Sequence, residues 1–170
     1  MCSRTILIGL GANLNSYIGT PRQTLEAVLE NFVANEIELV ACSSWFGSTP
    51  VPKSGQPDFV NGVAQVRTVL SPDQLLTRLH EIEVAFGRQR QAVNEARCVD
   101  LDLLAYGDLV SDAGDGGPVL PHPRLHQRLF VLRPLAQIAP GWMHPGLGRP
   151  VEALLAELAV PASEIWQLPD

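Results

Sequence analysis

Hydrophobic and polar positions change their period several times along the chain, and each change marks an element. Thr5 to Leu10 is a short apolar run that breaks at Gly11-Ala12-Asn13-Leu14-Asn15, the pattern of a buried strand leaving into a loop. From Pro21 the period lengthens: Leu25, Val28, Leu29 and Phe32 form one apolar helical stripe. Thr20, Pro21 and Gln23 supply a cap, a first-turn proline and the third-position partner of a capping box. Ile37 to Phe46 returns to β-branched and aromatic residues and predicts a strand. Gly47 to Asp58, rich in proline, glycine and serine, predicts a loop long enough to be functional. Phe59 to Val69 predicts a third strand, with Val60, Gly62, Ala64 and Val66 on one face and Phe59, Asn61, Val63 and Gln65 on the other. Ser71-Pro72-Asp73-Gln74 repeats the capping arrangement. Leu75, Leu79, Ile82 and Phe86 then give a second helical stripe, which Gly87 can end, while His80 and Glu83 share its more polar face.

After an aperiodic polar segment from Arg88 to Ala96, Val99, Leu101 and Leu103 alternate with Asp100 and Asp102 before Gly107-Asp108 interrupts the run. This is a strand with two carboxylates on one face. Asp108 to Leu120 reads as a Gly- and Asp-rich loop with room for a short strand, and Pro121 to Arg128 as a polar segment. Phe130-Val131-Leu132 is a short apolar piece, Pro134 to Ala139 suggests one or two helical turns, and Val151 to Leu158 suggests a short terminal helix. From Val160 the tail reads as irregular. Strand, proline-opened helix, strand, twice over, is the pattern of an α+β ferredoxin-like sandwich with C-terminal additions, one domain over residues 1–170. Its helices would cover one sheet face and leave the other for a ligand or extra elements.

Composition narrows the function classes. A chain of 170 residues with 46% hydrophobic content can bury a real core. The net charge of −6 and the lack of a basic run argue against nucleic acid as a partner. Lys53 is the only lysine, so phosphate recognition would fall to guanidinium groups. Cys2, Cys42 and Cys98 are too few and too scattered for a disulfide framework or a zinc site, which suggests a reducing cytoplasm. No apolar run reaches membrane-spanning length, and no leader is expected before the first strand.

Chemistry concentrates around the acidic strand. Residues two apart on one face lie roughly 7 Å from each other and can converge on one hard cation or a pair. Magnesium suits them, since it takes one or two carboxylates and leaves positions for phosphate oxygens. Arg97 stands close enough to reach the same phosphates. A solvated strand face is the competing explanation of a bare Asp-x-Asp. His122 and His126, four apart, could share a metal, though no third ligand stands nearby; a phosphate contact suits His122 better. Gly9 and Gly11 lack the third glycine of a dinucleotide fingerprint, and neither a Walker loop nor a nucleophile elbow occurs. Phe59 and Asn61 pair an apolar plate with an amide and suit a heteroaromatic ring, although a core Phe beside a satisfied Asn would look alike.

The run Arg97-x-x-Asp100-Leu101-Asp102-Leu103-Leu104-x-Tyr106-Gly107 resembles the signature of the 6-hydroxymethyl-7,8-dihydropterin pyrophosphokinase family. Further segments resemble that family in order: Ile8 to Leu14, Ser43 to Pro50, Gln56 to Asn61, Ile82 to Arg90, and Pro121 to Leu132. Together they span roughly Ile6 to Pro140. The resemblance implies transfer of a pyrophosphoryl group from MgATP to the pterin hydroxymethyl, leaving AMP, on a ferredoxin-like fold. It implies that Asp100 and Asp102 hold two Mg2+ ions, and that Arg88, Arg90 and Arg97 meet phosphates from a loop closing over ATP. It implies a pterin sandwiched by Phe59 and Phe130, bonded by Asn61 and lined by Ser48 and Val51. His80, Glu83, His122 and Arg128 would contact ATP, and the enzyme would act as a monomer. Asn94-Glu95-Ala96 replaces the aromatic-led triplet usual in the family before the arginine, in a loop one residue shorter. That departure leaves open a non-catalytic pterin-binding relative or an enzyme for a different pterin alcohol.

Overall fold

The computed structural model describes residues 4–89, 95–114, 116–158 and 164–170. Strand β1 (Ile6–Ala12) runs up the middle of an antiparallel sheet, and helix α1 (Pro21–Asn31) follows it. The predicted capping box is formed: Thr20 Oγ1 accepts from Gln23 N, and the Gln23 side chain accepts from Thr20 N at 2.9 Å. Two strands then arise where one was expected. Strand β2 (Ile37–Cys42) and strand β3 (Phe46–Ser48) pair with opposite ends of strand β4 (Phe59–Thr68). The break between them is bridged by Ser43, whose N donates to Val63 O at 3.0 Å and whose Oγ accepts from Val63 N at 3.0 Å. Strand β3 thus extends into the stretch expected to be loop.

Helix α2 (Pro72–Ala85) opens with the second capping box. Ser71 Oγ accepts from Gln74 N at 3.3 Å, and Gln74 Oε1 accepts from Ser71 N at 2.9 Å. Ser71→Ala should therefore cost about 1 kcal/mol, a fall of about 2–4 °C in Tm that calorimetry would read. Strand β5 (Asp100–Tyr106) pairs with β1 on the side away from β4. A small hairpin of β6 (Ser111–Asp112) and β7 (Val119–Leu120) follows, then helix α3 (Leu129–Ile138). Pro134 lies inside α3 and does not divide it, contrary to the expectation of two separate pieces. A proline removes one backbone bond, but Val131, Leu132, Pro134 and Leu135 are buried together and hold the helix through packing. A second hairpin, β8 (Met143–His144) with β9 (Arg149–Pro150), leads into helix α4 (Val151–Glu157). The tail is not wholly irregular: β10 (Ile165–Gln167) adds to β3.

The sheet order is β10-β3-β4-β1-β5, with β2 also on β4. Alternation along β1 divides the core. Ile6, Ile8, Leu10 and Ala12 pack under α1 and α2 with Leu25, Val28, Phe32, Leu75, Leu79 and Ile82. Leu7 turns to the opposite face, where Val63, Leu104 and Ala105 meet Val131, Leu132 and Leu135 of α3 and Val151 and Leu154 of α4. Helices therefore cover both faces. The second face is only partly covered, because α3 and α4 sit over one end of it. Among the described residues, no helix is long and apolar enough to cross a membrane.

Candidate active site

The open end of the second face is a cavity of about 740 Å3, and its floor is made by missing side chains. Gly9 and Gly11 lie on the same face of β1 as Leu7. Gly11 pairs across the sheet with Asn61 on one side and Asp100 on the other, and Gly9 pairs with Asp102. A Cβ on Gly9 would sit 3.4 Å from Leu104, and one on Gly11 would sit 3.6 Å from Asn61 Oδ1. Side chains there would fill the space between β4 and β5. The two glycines, which in the sequence form an incomplete fingerprint within the Ile8 to Leu14 segment, keep the floor open.

The β5 wall carries charge. Asp100 Oδ1 accepts from Arg88 Nη1 at 2.7 Å, and Asp100 Oδ2 lies 3.4 Å from Arg97 Nη1. Arg88 also donates to Glu83, whose other oxygen accepts from Leu101 N at 3.2 Å. Glu83 is thus a buried anchor between α2 and β5, not a residue on a polar helix face. Burial raises its pKa, with the Arg88 charge opposing. Burial also works against the charge on Arg88, but Asp100 and Glu83 outweigh it and hold that guanidinium above its ordinary value. Asp102 has a weaker partner, Arg128 Nη1 at 3.7 Å. Burial pushes the Asp102 carboxyl up to about 6, the Asp100 charge adds to this, and Arg128, Arg97 and Arg88 oppose it.

The opposite wall is aromatic and amide. Phe59 lies under the Arg97 guanidinium at 5.7 Å, and Phe130 under that of Arg128 at 5.5 Å. Asn61 is buried on the neighbouring position of the Phe59 face. Its Nδ2 donates to Ser48 Oγ at 2.7 Å and to Phe46 O at 3.3 Å, so its carbonyl oxygen remains to accept. Val51 is exposed at the rim.

His122 reaches the cavity from the segment after β7, tied to β5 by its N donating to Leu104 O at 2.8 Å. Its Nδ1 accepts from Arg124 N at 3.2 Å, which leaves Nε2 to carry the proton of the neutral ring. Burial, with Arg128 and Arg124 nearby, lowers its pKa to about 4, so it acts at neutral pH as an uncharged donor. Burial also lowers the pKa of Arg128, against the pull of Asp102. His126 does not join His122 in the cavity; its ring stands edge-on to His144 with centroids 5.7 Å apart.

Ser48, Val51, Phe59, Asn61, His80, Glu83, Arg88, Arg97, Asp100, Asp102, His122, Arg128 and Phe130 all line this one cavity. Arg90, with the adjacent residues through Asn94, lies outside the described residues. Reading the sequence missed Asn13. It is buried, its Oδ1 accepts from Arg97 N at 2.8 Å, and its Nδ2 donates to Gln56 Oε1 at 3.2 Å and Pro57 O at 3.0 Å. One amide thus joins the arginine segment to the loop before Phe59. An Asn just after a buried strand was the available signal, but its partners lie far along the chain. Arg124, which falls in the Pro121 to Leu132 segment but carried no role of its own, also lines the cavity, as does Glu164, which carried no motif.

The donor set suits a hard divalent cation. Both acids are oxygen donors on one strand face, and burial beside Asp100 makes the ionised form of Asp102 costly, a cost that added positive charge would relieve. Among the described residues no three His, Cys, Asp or Glu side chains form a metal cage. Phosphate oxygens would complete the coordination, as magnesium sites usually require. The raised pKa also has a stability consequence. A carboxyl whose folded pKa lies above its unfolded one stabilises the fold while protonated and loses that contribution as pH rises through the folded value. Without divalent cations, Asp102→Asn should match the wild type near pH 4 and melt higher above pH 6. The side chain is 34% exposed, which screens the penalty. We expect a gain of about 1 kcal/mol, or about 2–4 °C, read by melting curves across pH.

A family model described as 7,8-dihydro-6-hydroxymethylpterin-pyrophosphokinase (HPPK) matches residues 7–140. A 2-amino-4-hydroxy-6-hydroxymethyldihydropteridine pyrophosphokinase of Pseudomonas aeruginosa is 40% identical over 167 residues, covering 96% of each chain. The protein of that name from Synechocystis is 38% identical over 161 residues, covering 94% of this chain and 78% of its own. Among solved structures, the wild-type HPPK-DHPS of Plasmodium falciparum superposes with a TM-score of 0.68 at 12% identity, over 91% of this chain and 44% of that longer one.

Proposed function

This chain belongs to the 7,8-dihydro-6-hydroxymethylpterin-pyrophosphokinase family, and we propose that the glycine-floored cavity is where it performs that reaction. The enzyme transfers a pyrophosphoryl group from ATP to the hydroxymethyl of 6-hydroxymethyl-7,8-dihydropterin, a step of folate synthesis. The observation that carries the assignment to this cavity is the row Asn61-Gly11-Asp100 across β4, β1 and β5. It sets an aromatic, amide-bearing slot beside an acidic, arginine-rich wall with nothing between them. A flat heterocycle fits the first and a triphosphate the second.

In this reading Phe59 and Phe130 stack on the pterin, Asn61 Oδ1 accepts from it, and Ser48 and Val51 shape the slot. Arg88, Arg90 and Arg97 bind the phosphates on one side, while Arg128 and the neutral His122 Nε2–H bind on the other, with His80 at the nucleotide end. Glu83 acts through Arg88, which it orients. Asp100 and Asp102 hold the divalent ions, two of them in our reading, and these supply neutralisation of the triphosphate. The reacting alcohol needs no covalent partner from the protein. Most of the barrier is met by alignment and by charge held ready along the line of attack.

Before the substrates arrive, the arginines and the acids neutralise one another, so binding is an exchange of partners. The strand order β3-β4-β1-β5, with α1 and α2 after β1 and β4, supports reading the core as ferredoxin-like within a single domain over residues 1–170. A cavity walled by one chain suits a monomeric enzyme, and the free thiols Cys42 and Cys98 suit a reducing cytoplasm. The test is direct. Protein, MgATP and reduced 6-hydroxymethylpterin should yield AMP and pterin pyrophosphate in equal amounts by chromatography. ADP in place of AMP, or no product, would overturn the reading.

A further inference from the structure

The loop of residues 13–20, between β1 and α1, takes hold of Arg97 and of the residues just before Arg88. Asn13 N and Leu14 N donate to Arg97 O at 2.9 and 3.1 Å, and Asn13 Oδ1 accepts from Arg97 N. Further along the loop, the Tyr17 hydroxyl donates to Ala85 O at 3.2 Å. The Tyr17 ring stacks on Phe86, with centroids 6.4 Å apart and planes inclined by 27°. Cys98 Sγ links the two places, donating to Phe86 O at 3.4 Å.

Tyr17 stands on a braced turn. Ser16 N donates to Gly19 O at 2.9 Å, Gly19 N donates to Ser16 O at 3.2 Å, and Ser16 Oγ shares a 2.7 Å hydrogen bond with Thr24 Oγ1 of α1. The side chain is 73% exposed and does not line the cavity. An aromatic ring left so wet gains little from burial, yet both of its contacts fall on the end of α2. The last carbonyls of a helix have no partner within it, and the last turn of α2 carries no basic residue to supply one. Tyr17 serves Ala85 O and Cys98 serves Phe86 O. The chain then turns through Gly87, whose φ of +92° favours a residue without a side chain, and delivers Arg88. Arg88 Nη1 meets one oxygen of Asp100 at 2.7 Å, and Arg97 Nη1 lies 3.4 Å from the other.

We propose that Tyr17 is a positioning residue, its hydroxyl and ring fixing the end of α2 so that Arg88 stands beside Arg97 before ATP binds. This rests on the reading that both arginines meet the triphosphate. Tyr17 touches no substrate and acts through Arg88. Releasing the end of α2 lets Arg88 leave its place in part of the population, and the ATP KM rises by the inverse of the fraction that remains competent. Once bound, the triphosphate holds Arg88 itself, so kcat is spared.

Steady-state kinetics and melting curves on the full chain, with MgATP and 6-hydroxymethyl-7,8-dihydropterin, test this in wild type, Tyr17→Phe and Tyr17→Ala. Phenylalanine keeps the stack and loses the hydroxyl, so the ATP KM should rise about threefold. Alanine loses both, so it should rise about tenfold. In both variants kcat and the pterin KM should stay within about twofold, because the pterin side is anchored separately, through Asn13 to Gln56 and Pro57. A purely structural Tyr17 would lower Tm with the ATP KM unchanged, or shift every constant together, and either result overturns the proposal. A wild type that does not convert the pterin defeats the functional reading and this inference with it. A wild type that converts it, beside variants with unchanged ATP KM, overturns the role of Tyr17 alone. The side chain is exposed, so neither replacement opens a cavity in the core, and the Phe variant keeps the test should the Ala variant fail to fold.

Discussion

Asp100→Asn and Asp102→Asn should each cut turnover by about 10³-fold or more, without unfolding the protein. The two acids are the carboxylates that β5 itself carries into the cavity, and an amide there keeps the shape but loses the charge that would hold cations beneath a triphosphate. The two variants should differ in stability. Asp100 is engaged by Arg88 at 2.7 Å and by Arg97 at 3.4 Å, so its replacement leaves guanidinium groups with less compensation and should lower Tm. Asp102 is pushed up to about 6 by burial and by Asp100, so its replacement should raise Tm at neutral pH. A variant that is more stable and nearly inactive marks a residue retained for chemistry at the expense of the fold. AMP release and melting curves on the same preparations check both halves. Near-normal turnover by either variant would remove the acids from the mechanism.

Arg88→Met should fail in two separable ways. Its guanidinium bridges Glu83 and Asp100, and the Glu83 side chain is only 2% exposed. Removing one partner of a buried pair leaves an uncompensated charge and costs about 3–5 kcal/mol. With a phosphate ligand gone, kcat should also fall about 10²- to 10³-fold. The pH dependence follows from Glu83. Burial already raises its pKa, and losing Arg88 raises it further. The stability deficit should be largest at pH 8 and shrink as pH falls towards the ordinary carboxylate range, where Glu83 takes up a proton. Adding Glu83→Gln to Arg88→Met should restore most of the lost stability, because the amide oxygen can still accept from Leu101 N. It should restore none of the activity. A double variant that recovers turnover would show that Arg88 serves only to neutralise Glu83.

Several features of the site were legible because they depend on neighbours in the chain. The Asp100/Asp102 pair shares a face because strand side chains alternate. Phe59 and Asn61 share theirs for the same reason, and both proline-opened helices carry their capping boxes in contiguous residues. Other features were not legible. The GxG of β1 looked like a failed nucleotide fingerprint, yet it clears the floor between Asn61 and Asp100. Glu83 looked like a polar-face residue until α2 was laid against β5. Asn13 showed no partner within its own loop, since its bonds go to Arg97, Gln56 and Pro57.

The sequence by itself determined the period of each element, the helix starts and the side of the strand on which the acids stand. All of these arise from backbone geometry and contacts a few residues apart. Only the tertiary structure decided that one predicted strand divides into β2 and β3, that α3 continues through Pro134, and that the tail returns as β10. It also decided which arginine meets which acid and how far burial shifts Asp102 and His122. Pairing across a sheet and removal from water are properties of surfaces brought together from distant parts of the chain. Local pattern therefore carries the residues of this site, and the assembled fold carries their charge and their company.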